Sequence, residues 1–110
     1  MEEIDLREAV INSAYNNATV AVKSLIEVKE ISIETEDRNG NSIMDIAIRN
    51  SNPELVSFLV EKGIDVNEER KDMTPIQYAV QEIESRKSEN KEERVENAMN
   101  VLKILIEKLS

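Results

Sequence analysis

An internal register of 32 residues constrains this chain more than any other feature of its sequence. Ser42 and Thr74 lie 32 positions apart, and so do Ala47 and Ala79. The first copy reads Asp37-Arg38-Asn39-Gly40-Asn41-Ser42-Ile43-Met44-Asp45-Ile46-Ala47, and the second restarts at Thr74-Pro75-Ile76-Gln77-Tyr78-Ala79-Val80. Between them, Asn52-Pro53-Glu54-Leu55-Val56-Ser57-Phe58-Leu59-Val60-Glu61-Lys62-Gly63 has the signals of a second helix. Pro suits its first turn, and a cation followed by Gly marks its end. A period of this size, with two short helices per unit, predicts stacked units rather than a self-contained globule.

Local signals support that reading. Residues 4–17 predict a helix with Ile4, Ala9, Val10, Ser13 and Ala14 on one face. Asn16-Asn17 is a turn, and residues 19–30 predict a second helix. Residues 31–35 alternate apolar and polar and fit an extended arm. Asn39-Gly40 marks a tight turn. Ser42 with Asp45, and Thr74 with Gln77, have the spacing of capping boxes, which satisfy free backbone N–H groups at a helix start. Charged residues 84–94 precede a last apolar helix over residues 98–109. That run lacks Gly and Pro, so both flanking helices are expected to lengthen around a turn near Ser88-Glu89-Asn90.

The residues from Asp37 to Val80 resemble the ankyrin-repeat family, whose units open on a Thr-Pro-Leu-His-x-Ala pattern. The resemblance implies an all-α solenoid of stacked helix–turn–helix units with short hairpin loops and an insertion in the last repeat. One domain is expected over 1–110, with repeats near 4–36, 37–69 and 70–110 and a charged helical insertion near 84–96. Ile64-Asp65-Val66-Asn67 resembles the family's crossing step between units. The family's histidine position carries Asp45 in one unit and Gln77 in the next, and its Pro position carries Ile43 in the first of these.

Several chemistries are excluded by composition. The chain has neither Cys nor His, which removes thiolate chemistry, disulfides and the usual catalytic triads. Its only glycines, Gly40 and Gly63, form no phosphate-binding loop. Carboxylates cluster at Glu2-Glu3, at Glu34 with Glu36-Asp37, at Glu68-Glu69 and at Glu92-Glu93. They read either as solvated surface or as a hydrolytic or magnesium site, and the first reading is preferred because stacked repeats seldom form a deep cleft. No enzymatic activity, cofactor or metal is expected. No apolar run reaches the ~20 residues of a membrane helix, and the acidic start is unlike a secretory signal, so a cytoplasmic protein is expected. Met1 and the lack of a linker at Ser110 suggest a whole protein rather than a fragment. A net charge of −9 disfavours nucleic acid and favours basic partners.

In the family, partners meet the hairpin tips and the exposed face of each first helix, a concave surface. Carried over, the tips are Arg38, Asn39 and Asn41 in one unit and Glu69, Arg70, Lys71 and Asp72 in the next. The helix positions are Arg49 and Asn50, then Gln81 and Glu82. Met44 and Met73 read as adaptable contacts or as core filler. The insertion reads as a solvated helical hairpin or as a contact arm. Val101, Leu105 and Leu109 are expected on an outer face of the last helix, either re-covered by the lengthened helices or used for weak dimerisation or a partner helix. The resemblance therefore implies a protein–protein interaction module. A small acidic chain of this kind also resembles bacterial immunity proteins, which implies an inhibitor that occludes the active site of a basic, nuclease-like toxin.

Overall fold

The computed structural model describes residues 6–88 and 92–109. Six α-helices follow in order: α1 (Leu6–Tyr15), α2 (Thr19–Lys29), α3 (Ile43–Arg49), α4 (Pro53–Glu61), α5 (Pro75–Ser88) and α6 (Glu92–Leu109). They pair as α1/α2, α3/α4 and α5/α6. The first helices pack α1 on α3 on α5, and the second helices pack α2 on α4 on α6. The result is a two-layer stack without a β-strand among the described residues, joined at two hairpins.

The middle pair is the most deeply covered because it has neighbours on both sides. Ile43, Ile46, Ala47, Ile48, Leu55, Val56 and Leu59 are all essentially inaccessible. Ala47 and Ala79, matched in the 32-residue register, are both buried, where a methyl group lets helix backbones approach. Met44 is buried and Met73 half-buried.

Local chemistry sets the helix ends. Ser42 Oγ accepts the Asp45 N–H (3.1 Å), and Asp45 Oδ2 accepts the Ser42 N–H (2.9 Å), which closes a capping box on α3. Thr74 and Gln77 do the same on α5, at 3.3 and 2.8 Å. Asn52 Oδ1 accepts the Leu55 N–H (3.1 Å) ahead of Pro53, and Gly63 ends α4 at φ +96°. Both predicted capping boxes and the Pro53 start are present.

The expected extended arm over residues 31–35 is instead a turn. Ser32 Oγ accepts the Glu34 N–H (3.0 Å), and the Ser32 carbonyl accepts from the Thr35 N–H (3.2 Å) and Oγ1 (2.7 Å). A serine that bonds its own neighbours overrides the alternating pattern. The last helix also departs from expectation. Val101 and Leu105 are fully buried with Ala98, as α6 packs on both α4 and α5. Met99, Ile106 and Leu109 are the half-exposed apolar residues. The error was one of helical phase: 98, 101 and 105 form the inward stripe, and of the three residues expected outside only Leu109 is there. Both α5 and α6 lengthen; at 14 residues against 7 in α3, α5 runs roughly 10 Å further. The expected turn falls at Glu89-Asn90, outside the described residues, and Ser88 belongs to α5.

The second hairpin carries the sharpest backbone. Arg70 and Met73 exchange both N–H···O bonds, at 2.7 and 3.0 Å, around Lys71 (φ +52°) and Asp72 (φ +67°). Two consecutive left-handed residues give the tight turn whose twist suits a hairpin, normally formed by Asn-Gly. Replacing Asp72 with Gly, with Lys71 left in place, is expected to stabilise the protein by about 1 kcal/mol through relief of left-handed strain. Thermal melting of Asp72→Gly checks this as a raised Tm.

Candidate protein-binding face

The hairpins lie side by side and are tied together by polar side chains. Asp37 organises the first. Its Oδ1 accepts the N–H groups of Asn39 and Asn41 (both 2.9 Å), and its Oδ2 accepts the Tyr15 hydroxyl (2.6 Å) from the end of α1. Gly40 completes the loop at φ +82°, where a side chain would be strained. Asn41 Nδ2 also donates to Asp37 Oδ2 (3.3 Å), and its Oδ1 accepts Lys71 Nζ (2.6 Å) from the second hairpin. One row of hydrogen bonds thus runs from Tyr15 through Asp37 and Asn41 to Lys71, across all three units. The Tyr15 hydroxyl, followed by the Asn41 N–H, holds the Asp37 carboxyl down at about 2. The same bond to Asp37 pushes the Tyr15 hydroxyl above its ordinary value.

Arg70 forms a second tie beneath that row. Its Nε donates to Asp45 Oδ2 (3.0 Å), and its Nη2 donates to the Gly40 carbonyl (2.7 Å) and pairs with Glu36 Oε2 (3.1 Å). Burial works against the charge of Arg70, but the carboxylates of Asp45 and Glu36 outweigh it and raise the guanidinium pKa. Asp45 Oδ2 therefore serves two units, accepting the Ser42 N–H of its own helix and the guanidinium of the next hairpin. This is the position where the family's histidine was expected.

The helix positions assemble separately, at the far end of α3. Asn50 Nδ2 donates to the carbonyls of Ala14 and Tyr15 (both 3.2 Å), closing the end of α1. Arg86 pairs with Glu82 (2.6 Å) and donates from Nη2 to the Arg49 carbonyl (2.6 Å). Arg38, Asn39, Arg49, Glu69, Lys71, Asp72 and Gln81 are exposed, while Asn41, Asn50, Arg70 and Glu82 are half-buried in these internal bonds.

Between the two hairpins and the start of α5 lies a groove of about 290 Å³. Met44, Ile64, Met73, Pro75 and Tyr78 supply its apolar lining, and Glu34, Glu36, Asp65 and Glu68 its acidic one. Sequence reasoning read these carboxylates as separate surface pairs, because only the stacking of the units brings 34–36 beside 65–68. Burial, followed by the Glu82 carboxylate, raises the Tyr78 hydroxyl pKa. Among the described residues, no group of three or more acidic residues is placed to hold a metal ion, and no helix is long and apolar enough to cross a membrane.

Two measurements check these ties. A double-mutant cycle of Asp45→Ala and Arg70→Ala is expected to show a coupling of about 1 kcal/mol in chemical denaturation, since the pair is largely shielded from water; additive effects would dissolve the tie. Asp37 is charged and paired above its ordinary value, so its contribution is complete there and is lost as pH falls from near 3.8 to about 2. Asp37→Asn is expected to be less stable than the native chain at neutral pH, with the gap closing across that window in melting curves.

A family model described as ankyrin repeats (3 copies) matches residues 10–90. No curated protein and no solved structure matches the chain significantly. The matched span runs from within α1 to the end of α5 and includes both inter-unit hairpins and the buried alanines in register. The chain belongs to the ankyrin-repeat family.

Proposed function

We propose that this chain is a binding protein whose hairpin tips and first helices form a concave face that meets a partner with a basic surface. Ankyrin repeats are generic protein–protein interaction modules, and a single observation carries the finer reading. The groove between the tips concentrates carboxylates in a chain that is already at −9, a field that draws cationic proteins and repels phosphate backbones. The contact set is Arg38, Asn39, Glu69, Lys71 and Asp72 at the tips with Arg49 and Gln81 on the helices; Asn41, Asn50, Arg70 and Glu82 shape it from beneath. Binding, not catalysis, is the activity, and repeats at 4–36, 37–69 and 70–110 form one domain working in the cytoplasm. The half-exposed Met99, Ile106 and Leu109 suit at most a weak self-association.

The same acidity favours a sharper form, an immunity protein that blocks the active cleft of a basic, nuclease-like toxin in one-to-one fashion. Charge steering would speed its capture, and the rigid stack would hold it.

The test is retention of partners from the native lysate at physiological and high salt, by the native chain and by a Glu68→Lys, Glu69→Lys, Asp72→Lys variant. One basic protein kept by the native chain, and lost or slowed in the variant with an effect that shrinks in salt, is the expected outcome. Equal retention by both, or a spread of unrelated proteins, would overturn the basic-partner reading. If the retained protein is a nuclease, equimolar chain is expected to silence it.

A further inference from the structure

The groove between the hairpins is of a size to take one side chain. Its volume of about 290 Å³ sits at the lower limit of small-molecule pockets, which run from ~300 to ~1,000 Å³. Its own cation does not neutralise it. Arg70 is committed to Asp45, the Gly40 carbonyl and Glu36, and it reaches Glu68 only at 3.8 Å. Among the described residues, Glu34 and Asp65 have no ion pair. Asp65 Oδ1 accepts the Asn67 N–H (2.8 Å), which holds that carboxylate in place while leaving its charge unmatched. Beside them stands the half-buried ring of Tyr78.

We propose that this groove receives an arginine side chain of the protein partner, with the guanidinium between the Glu34 and Asp65 carboxylates and its stem along Met73 and Tyr78. This rests on the concave-face reading above and specifies its central contact. Arginine fits better than lysine for physical reasons. Its planar fork can serve two separated carboxylates at once, and its weakly hydrated face can lie on the tyrosine ring. Its apolar stem also covers the methionine that the groove exposes. The same excess of carboxylates over the one guanidinium repels a phosphate or a carboxylate.

The probe is N-acetyl-arginine amide, titrated into isotopically labelled full chain at low salt and followed by amide chemical shifts. Expected are saturable shifts confined to residues near 34–36, 65–68 and 73–78, smaller shifts with N-acetyl-lysine amide, and none with the neutral N-acetyl-citrulline amide. Glu34→Gln with Asp65→Asn is expected to weaken the arginine response roughly tenfold. Both substitutions keep side-chain size, and the amide oxygen introduced at position 65 can still accept the Asn67 N–H; an unchanged Tm shows that the variant is folded. Shifts spread over the whole acidic surface, equal response to citrulline, or an undiminished response in the folded variant would overturn the proposal. If the groove titrates as expected but a Glu69→Lys, Asp72→Lys variant, which spares the groove-lining Glu68, retains every partner equally, the concave-face reading fails while the groove's preference for arginine stands. If tip variants lose the partner but the groove stays silent, the proposal falls alone.

Discussion

A helix of seven residues beside one of nine cannot cover its own apolar side. In isolation each would be marginal, because nucleating a helix costs more than so few hydrogen bonds return. Everything here depends on neighbours doing that covering. The α3/α4 pair shows it most clearly: Ile43, Ile46, Leu55 and Leu59 are inaccessible only because α1/α2 lies on one side and α5/α6 on the other. Alanine at 47 and 79 sets how closely the units approach. Lengthening α5 and α6 gives the last pair more of its own interface, which compensates for its having a packed neighbour on one side only.

Apolar stacking fixes the distance between units but leaves their hairpins free to splay. The polar ties restrain that freedom. Tyr15, Asp37, Asn41 and Lys71 join the tips in series, while Arg70 bolts the second hairpin to the cap of α3 and to the carbonyl of Gly40. Residues that the family resemblance marked as partner contacts therefore divide in two. Some, such as Arg38 and Glu69, face solvent. Others, such as Asn50 and Arg70, hold the scaffold, so their substitution would disturb binding indirectly.

The helices and their caps were legible in the sequence because capping boxes, Pro53 and Gly63 act over three or four residues. The tie between Asp45 and Arg70 was not, since it spans 25 positions and Asp45 was already fully explained as a cap. The second hairpin was placed at residues 69–72 by the resemblance, but its two left-handed residues were not foreseen, because neither Lys71 nor Asp72 advertises such a backbone as Gly does. The phase of α6 was misjudged because Met99, Val101, Leu102, Leu105, Ile106 and Leu109 ring much of that helix, and hydrophobicity alone cannot choose among overlapping stripes. The groove was illegible for a geometric reason. Its two acidic segments lie about thirty residues apart and meet only through the repeat.

Placing a carboxylate where a histidine was expected has a consequence for physiology. A joint made from aspartate and a guanidinium, in a chain with no imidazole at all, is held by opposite charges and is partly covered from water. Salt therefore screens the exposed carboxylates of the surface more than it screens this clasp, so the stack can keep its register while its outer charge is damped.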